Sequence, residues 1–246
     1  MSTDTRPGLE KFIMSATPIL QIIAIDGPAG SGKSTAARRL AQALSFTYLN
    51  TGAMYRAAAL LAQEGGFDLS DEAKVAEVAS SMRFDYFERD GRQRFVVNET
   101  DRTEELFTAA LTAQLKPVVN NHAVRGALVD KMRSAARGVA ARGAKGVVLE
   151  GRDIGTVVFP DAFIKFYIHA DIDARTQRRA AELKAKGELV DFDGLRKQIQ
   201  YRDDTDKARE VGALIQAEDA LDVDSTHLNE EAVLERLLRE VRARHA

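Results

Sequence analysis

The segment GPAGSGKST, residues 27 to 35, has the residue types and the spacing that bind a nucleotide phosphate. From Gly27, four residues lead to Gly32, Lys33 and Ser34, which completes the phosphate-binding loop pattern. Glycines allow successive backbone N–H groups to turn inward around phosphate oxygens, and the lysine adds a mobile positive charge. The serine hydroxyl can bind a magnesium ion that bridges the phosphates. The segment predicts a site for a nucleoside triphosphate.

A second group of candidate residues consists of arginines and aspartates at recurring spacings. Arg152 and Asp153 follow a predicted buried strand, at the edge where open parallel sheets place their ligands. Three further arginines are three and four residues apart, which predicts that they share one face of a helix. A later segment has two arginines and an aspartate at similar spacings. These two sets are Arg175, Arg178 and Arg179, and Arg202, Asp206 and Arg209.

For each of these arginines taken alone, a place on a solvated or salt-bridged surface is at least as good an explanation as a role in ligand binding. Together they are the converging cations that phosphoryl transfer requires, because this reaction is catalysed by positioning and charge stabilisation. The sequence therefore favours a kinase. One alternative is a kinase of the same build that uses another small acceptor. A switch that hydrolyses ATP or GTP is disfavoured, since the chain has no NKxD segment to recognise guanine.

Alternating strands and helices must position these residues, and this pattern predicts an α/β fold with a mainly parallel sheet. The predicted strands cover residues 19–25, 46–49, 146–150, 163–169 and 220–224. The segment KSTAARRLAQAL predicts an amphipathic helix with Leu40 and Leu44 on one face. Thr51 stands at the predicted start of another helix, with Tyr55 and Arg56 one turn later.

Three segments depart from this alternation. Residues 83–98 alternate apolar and polar side chains around Asp90-Gly91, which predicts a hairpin in a small inserted subdomain. Two long helices are predicted to follow, from about Thr103 and from Pro117. Near residues 184–194, Gly187 and Gly194 are predicted to break two charged helices. The segment between them is predicted to be either a mobile segment that closes over a substrate or a plain surface loop.

Composition restricts the function classes. The 246 residues include 35 Lys and Arg against 37 Asp and Glu, so no global charge attracts nucleic acid or an anionic membrane. The chain contains no cysteine, which excludes a disulfide and a thiolate nucleophile and fits a reducing compartment. Neither a secretory signal nor a transmembrane run is recognised. We expect residues 1–18 to be a flexible tail and residues 1–13 to be dispensable for activity.

The chain resembles the bacterial cytidylate kinases, a family of nucleoside monophosphate kinases. The resemblance covers nearly the whole chain from about residue 19. It rests on the segments IAIDGPAGSGKST, LNTGAMYRA, EGRDIGTVVFPDA, RRAAELKAKG, YRDDTDKAR and ALDVDST. TGAMYRA and GRDIGTVVFPDA separate the chain from adenylate and shikimate kinases, which share only the first loop and the general layout.

The resemblance implies a cytoplasmic enzyme that transfers the γ-phosphate of ATP to CMP or dCMP with Mg²⁺. It implies a P-loop NTPase-type fold, in which a five-stranded parallel sheet is flanked by helices. The expected kinase core comprises residues 19–66, 117–170 and 208–246. A nucleoside-monophosphate-binding subdomain is expected at about 67–116 and a lid at about 171–207. The expected partners are the small-molecule substrates alone, and a monomer is expected.

The resemblance also implies a role for each site residue. The ATP-binding residues would be Gly27, Gly30, Ser31, Gly32, Lys33, Ser34 and Thr35, with Ser34 next to magnesium. Thr51, Tyr55, Arg56 and Arg152 would bind the acceptor phosphate, Arg125 and Asp153 the cytosine, and Arg202 and Asp206 the ribose, while Arg209 would support the acceptor site. Lys33, Arg152, Arg175, Arg178 and Arg179 would act in the transfer.

Three positions depart from the family pattern. Lys116 stands where the family commonly has a serine that touches the base, and we transfer no role to it. Phe107 replaces a customary arginine and Met132 a customary glutamine. The inserted region is therefore expected to dock differently.

Overall fold

A central parallel sheet organises the chain, which a computed structural model describes over residues 20–89, 92–185 and 187–245. Within these residues the strands are β1 Gln21–Asp26, β2 Thr47–Asn50, β3 Phe84–Arg89, β4 Arg92–Val97, β5 Thr100–Asp101, β6 Gly146–Gly151, β7 Ile164–His169 and β8 Leu221–Asp224. The helices are α1 Lys33–Leu44, α2 Gly52–Glu64, α3 Glu72–Ser81, α4 Thr103–Leu106, α5 Ala109–Ala113, α6 Lys116–Asn120, α7 His122–Ala141, α8 Ile172–Ala185, α9 Phe192–Lys207 and α10 Glu230–His245, and a π-helix covers Ile154–Val158.

The five-stranded sheet has the order β2-β6-β1-β7-β8, and every neighbouring pair is parallel. The predicted α/β fold and its five parallel strands are thereby confirmed, with each strand within two residues of its predicted bounds. The carboxyl ends of β1 and β6 lie side by side, since Asp26 pairs in register with Gly151. The phosphate loop after β1 is therefore adjacent to the segment that carries Arg152 and Asp153.

Alternation along the strands divides the core into two layers. Ile23 and Ile25 of β1 pack with α1 and α10 on one face of the sheet. Ala24, between them, faces the other side and packs with α2, α3 and α7. Buried positions on β6 alternate in the same way, with Val148 facing α1 and α10 and Leu149 facing the other layer. Successive side chains of a strand point to opposite faces of the sheet, so a continuously apolar strand contributes to both core layers.

A second, antiparallel sheet of β3, β4 and β5 forms the predicted hairpin region. The hairpin is confirmed, although its turn at Asp90-Gly91 lies outside the described residues, as does the tail at 1–18. The third strand, β5, was not predicted from the sequence. Gln93 donates from Nε2 to the carbonyl oxygen of Tyr48 at 2.6 Å, which attaches this sheet to the edge strand β2.

The long helix predicted from Thr103 was wrong, because the segment breaks into α4, α5 and α6. Thr108 has an extended backbone, and its hydroxyl accepts from the N–H of Leu111, so it begins α5. Asn121 begins α7 in the same way, with its side-chain oxygen accepting from two backbone N–H groups, and this separates α6 from α7. The helix predicted from Pro117 therefore begins as a separate turn, although its end before residue 142 is confirmed.

Gly194 does not break a helix, which corrects the prediction for this segment. It lies in the first turn of α9, where a Cβ atom would come within 2.3 Å of the carboxylate of Asp191. Gly187 has a φ of 80° and follows α8, so the interruption lies between α8 and α9.

We expect Leu237→Ala to lower the free energy of unfolding by about 2–5 kcal/mol, because its fully buried side chain would leave a cavity between α10 and the sheet. Leu189→Ala is the matched control. Its side chain is fully exposed, so we expect a change within about 0.5 kcal/mol. Denaturant unfolding of both variants measures the difference, and equal losses would contradict this assignment of the core.

Candidate active site

The phosphate loop connects β1 to α1 and has the backbone that its glycines predict. Gly30 and Gly32 have φ values of 75° and 84°, in the left-handed region. At Gly27, a Cβ atom would lie 2.0 Å from the carbonyl oxygen of Ile168 on β7. The start of the loop is therefore packed directly against the sheet.

Lys33 and Ser34 begin α1 at the bottom of this loop. Lys33 donates from Nζ to the carbonyl oxygen of Pro28 at 3.0 Å. Burial, together with the positive charge of Arg152, lowers the pKa of Lys33 to about 7. An anion in the loop would oppose both effects, so the site is tuned to keep Lys33 charged when phosphate is bound.

Glu150 was missed as a site residue by sequence reasoning. It is the last buried side chain of β6, and its Oε1 accepts from the hydroxyl of Ser34 at 2.9 Å. The hydroxyl of Tyr48 donates to the same oxygen at 3.3 Å. Its position in the sequence could have indicated this role. Glu150 is an acidic residue near the end of β6, and β6 pairs with β1, the strand that leads into the phosphate loop. A carboxylate and a hydroxyl side by side are oxygen donors suited to Mg²⁺.

A cleft of about 1050 Å³ opens over the loop, and a smaller pocket of about 230 Å³ adjoins it. The sequence-predicted residues that line the large cleft are Gly30, Ser31, Gly32, Lys33, Ser34, Thr35, Arg56, Arg178, Arg179, Arg202, Asp206 and Arg209. Those that line the smaller pocket are Lys33, Ser34, Thr51, Tyr55, Arg56, Arg125, Arg152, Asp153, Arg202, Asp206 and Arg209. Residues from distant parts of the chain therefore form two adjoining compartments.

Asp206 is the centre of the ion-pair network between the compartments. Its Oδ2 accepts from Nε of Arg152 at 2.7 Å, and its Oδ1 accepts from Nη2 of Arg209. Burial opposes ionisation of Asp206, but the two arginines outweigh it and lower the pKa of the carboxyl group. Arg202 lies beside them and has no hydrogen-bond partner among the described residues. Enclosure by the cleft walls and the charge of Arg152 lower the pKa of Arg202 to about 10.

Arg56 extends from α2 into both compartments. Its Nη1 donates to the carbonyl oxygen of Leu106 at 3.1 Å and to Oγ1 of Thr112 at 2.6 Å. Its guanidinium also lies 5.3 Å from the ring centroid of Phe107. Burial and the charge of Arg152 lower the pKa of Arg56. The inserted region therefore holds one of the cleft cations.

Arg125 and Asp153 form a buried ion pair at the end of the smaller pocket. Nη2 of Arg125 donates to Oδ2 of Asp153, and both residues are at most 6% exposed. The ring of Tyr55 lies 5.5 Å from the Arg125 guanidinium. Burial raises the pKa of Asp153, although Arg125 opposes this shift. The pair presents a guanidinium and a carboxylate side by side.

Thr51 anchors the start of α2 rather than extending freely into the pocket. Its hydroxyl donates to the carbonyl oxygen of Glu150 at 2.8 Å, and its side chain is buried. This bond joins the beginning of α2 to the end of β6. Burial raises the pKa of Tyr55, one turn later, to about 12, so its phenol stays neutral.

The three arginines of α8 occupy different environments despite their shared spacing. Arg175 lies behind the phosphate loop, where it donates to the carbonyl oxygens of Ala170 and Ala29 and pairs with Asp203 at 2.6 Å. Arg178 donates to Oγ and to the backbone oxygen of Ser225. Arg179 lines the cleft, and its ion pair with Glu182 is solvent-exposed. Only Arg178 and Arg179 of the three therefore face the cleft.

The residues that depart from the family pattern lie near the entrance or in the core. Lys116 donates from Nζ to the hydroxyl of Tyr201 at 2.7 Å and lies over its ring, which joins α6 to α9 across the cleft. Phe107 packs against Phe95 of the inserted sheet at 5.6 Å between ring centroids. Met132 is buried in the layer formed by α2, α3 and α7.

In the part of the chain that the structure describes, no helix is long and apolar enough to cross a membrane. Residues 20–89, 92–185 and 187–245 also contain no group of three or more histidine, cysteine or acidic side chains that could hold a metal ion. A metal at Ser34 and Glu150 would therefore need oxygens from a bound ligand or from water to complete its coordination.

The chain is similar to several known proteins. The family model described as cytidylate kinase matches residues 23–243. A curated cytidylate kinase of Geobacter sulfurreducens is 40% identical over 91% of this chain and 93% of its own length. That of Caldanaerobacter subterraneus subsp. tengcongensis is 42% identical over 89% of this chain and 94% of its own length. The crystal structure of TT1252 from Thermus thermophilus, 21% identical, covers 91% of this chain and 97% of its own with a TM-score of 0.48.

The different environments of the α8 arginines predict different effects on stability. Arg175→Ala would leave the buried carboxylate of Asp203 without its partner, so we expect a loss of about 3–5 kcal/mol in the free energy of unfolding. Arg179→Ala removes only an exposed pair and should cost less than about 1 kcal/mol. Thermal and denaturant unfolding test this contrast. A similar loss in both variants would show that Arg175 has no special structural role.

Proposed function

The chain belongs to the cytidylate kinase family, and we propose that its cleft transfers the γ-phosphoryl group of ATP to CMP or dCMP. One observation carries the proposal. The phosphate loop and four arginines, Arg56, Arg152, Arg202 and Arg209, meet in two adjoining compartments. A single anionic ligand would not need both sets of cations, whereas two nucleotides that meet end to end would.

In this proposal the large compartment holds ATP. Residues 30–35 surround its phosphates with backbone N–H groups, and the N-terminus of α1 adds a partial positive charge. Lys33 turns from the carbonyl oxygen of Pro28 to the outer phosphates. Ser34 and Glu150 would hold Mg²⁺, which would neutralise charge on those phosphates.

The smaller compartment holds the acceptor nucleotide. Arg56 and Arg152 bind its phosphate, and Arg209 supports Arg152 through Asp206. Arg202 and Asp206 bind the ribose, with Asp206 accepting from its hydroxyls. Thr51 and Tyr55 shape the wall rather than supply charge, since Thr51 is bonded to the Glu150 backbone and Tyr55 lies under Arg125.

The Arg125–Asp153 pair recognises the base. Arg125 donates to Oδ2 of Asp153, and Oδ1 has no hydrogen-bond partner among the described residues. An ionised carboxylate accepts hydrogen bonds only, so it pairs with the exocyclic amino group of cytosine. Uracil presents an oxygen at that position, which would leave two acceptors facing each other.

Transfer is direct, without a phosphoenzyme. The acceptor phosphate oxygen attacks the γ-phosphorus as the bond to the β–γ bridging oxygen breaks, and the products are ADP with CDP or dCDP. Arg152 and Arg179 approach the transferred group from opposite elements and stabilise its equatorial oxygens. Arg178 holds the loop around Ser225 at the edge of the ATP compartment, and Arg175 fixes the phosphate loop from behind.

Closure of the cleft accompanies substrate binding in this proposal. The segment at about 67–116 contributes Phe107 and Lys116, and the segment at about 171–207 contributes Arg179 and Tyr201. These two segments face each other across the cleft and would exclude water when they close. The cytoplasmic location and the monomeric state stay predictions from the sequence.

The base-recognition step predicts a change of acceptor preference in Asp153→Asn. An amide can satisfy either base, so we expect kcat/KM for CMP to fall while the CMP-to-UMP ratio narrows by about tenfold or more, equivalent to about 1.4 kcal/mol. Wild-type protein should prefer CMP in a panel of monophosphates with ATP and Mg²⁺, measured as ADP formation.

Asp206→Asn is the control for this experiment. It lies in the same pocket but not beside the base, so both efficiencies should fall while their ratio stays the same. An unchanged ratio in Asp153→Asn would contradict base recognition by this residue. ATP hydrolysis that proceeds equally well without any acceptor would instead support the switch and contradict the kinase.

The magnesium assignment predicts the behaviour of Glu150→Gln. Loss of the carboxylate charge should raise the Mg²⁺ concentration for half-maximal rate by about tenfold or more, as expected for a charge-assisted contact of about 1.5–3 kcal/mol. Tyr48→Phe removes a neutral donor from the same carboxylate oxygen and should change this concentration less than about threefold. Equal shifts in the two variants would mean that Glu150 acts through packing of the loop.

A further inference from the structure

Asp26, the last residue of β1, is a buried acid with no role in the chemistry described above. It is 5% exposed and immediately precedes the phosphate loop. Both of its carboxylate oxygens accept backbone hydrogen bonds. Oδ1 accepts from the N–H of Ile154 at 2.9 Å, and Oδ2 accepts from the N–H of Gly155 at 2.7 Å.

These two N–H groups open the π-helix at Ile154–Val158, directly after Arg152 and Asp153. The first N–H groups of a helix have no acceptor within the helix, so a carboxylate that bonds two of them fixes where the helix begins. The backbone of Asp153 immediately before it is thereby fixed as well. Asp26 thus determines the position from which the Arg152 and Asp153 side chains extend.

The same carboxylate connects the two compartments. On one side, the chain continues from Asp26 into Gly27 and the phosphate loop. On the other side, Arg152 extends to Asp206, and Asp153 extends to Arg125. Asp26 is therefore one point at which the phosphate loop and the acceptor segment are attached to each other by side-chain hydrogen bonds, beside the bond from Ser34 to Glu150.

We propose that Asp26 is a positioning residue, which aligns the acceptor nucleotide with the γ-phosphate by holding the 152–155 segment against the phosphate loop. The inference rests on the proposed function, because it concerns the geometry of that transfer. Asp26 lines neither compartment, so we expect it to act through the 152–155 segment. Misplacement by about 1 Å can cost about 100-fold in rate, so a fixed attachment between the compartments has a direct catalytic value.

The charged groups around Asp26 give the proposal a pH signature. Burial raises the pKa of Asp26 to about 6, the two backbone N–H groups oppose this rise, and Asp153 and Arg152 act on it with opposite signs. Tyr167 on β7 lies near it, and the alkyl part of Lys165 packs against Gly155. Protonation would place an O–H against an N–H, which breaks one of the two attachments.

Stability and activity should respond to this ionisation in opposite directions. The folded-state pKa is above the unfolded value of 3.8, so the stability linked to Asp26 is present at low pH and is lost as the pH rises from about 4 through 6. Alignment of the acceptor needs the ionised form and is lost as the pH falls through 6.

The test compares full-length wild-type protein with Asp26→Asn, which keeps one acceptor but turns an NH₂ group toward the second N–H. At pH 8 we expect kcat/KM for CMP to fall by about tenfold or more, with KM for ATP within about threefold. The CMP phosphate also titrates near pH 6, so the ratio of the two proteins is the measurement. This ratio should approach one as the pH falls below 6.

Asp71→Asn is the matched control, because Asp71 caps α3 at the surface with one backbone hydrogen bond. It should leave both substrate parameters unchanged. Equal losses for ATP and CMP in Asp26→Asn, or a ratio that does not depend on pH, would overturn the positioning role. If wild-type protein phosphorylates no pyrimidine monophosphate, the proposed function fails by itself.

Amide hydrogen exchange gives a readout that needs no turnover. The protection factors of Ile154 and Gly155 should fall in Asp26→Asn, and in wild-type protein they should fall as the pH drops below 6. The wild-type series also decides the matter if the variant does not fold. Protection that stays constant between pH 8 and 5 would overturn the proposal, whatever the acceptor is.

Discussion

Mutual repulsion of the cleft arginines is the constraint on which the rest of the site depends. Burial lowers the pKa of Lys33, Arg56 and Arg202, and the charge of Arg152 lowers each of them as well, so these cations are held closer than they would settle in water. Asp206 offsets part of this repulsion by bonding two arginines with its two oxygens. The remaining positive charge favours the binding of phosphate, because a bound anion removes a repulsion as well as adding an attraction.

Buried ion pairs around the cleft fix geometry more than they stabilise the fold. Each charge in the Arg175–Asp203 and Arg125–Asp153 pairs loses its hydration, and the gain from pairing only roughly repays this cost. What the pairs determine is position. Arg175 connects α8, α9 and the phosphate loop, while Arg125 connects α7 to the segment after β6. A site that must align two phosphates benefits from such connections even where they add little stability.

The sequence predicted the features that are determined by residues close together in the chain. The phosphate loop, the five strands and the start of α2 follow from patterns within a dozen residues, and the structure confirms them. Long-range contacts determine much of the rest. Arg175 and Arg179 share a helical spacing, yet only one meets a buried aspartate on the neighbouring helix. One local feature was also missed, because the helix after Thr103 breaks at caps such as Thr108, whose strength composition does not reveal. The role of Glu150 depends on its hydrogen bond with Ser34, which is 116 positions away in the chain.

The departures from the family pattern leave the charged pocket intact. Phe107 and Lys116 lie at the entrance, and each takes part in a contact between a cation and an aromatic ring, Arg56 with Phe107 and Lys116 with Tyr201. Such contacts at exposed positions contribute about 0.5–1 kcal/mol, which is enough to shift the balance between an open and a closed cleft but too little to hold the cleft in one state. Arg152, Asp153 and Asp206 instead have hydrogen-bonded charged partners within the pocket. Two of the three departures therefore lie where contacts are weak and solvent-exposed, while the third, Met132, is buried in the apolar core. The residues that must place charge at a fixed point are held by hydrogen bonds between charged side chains.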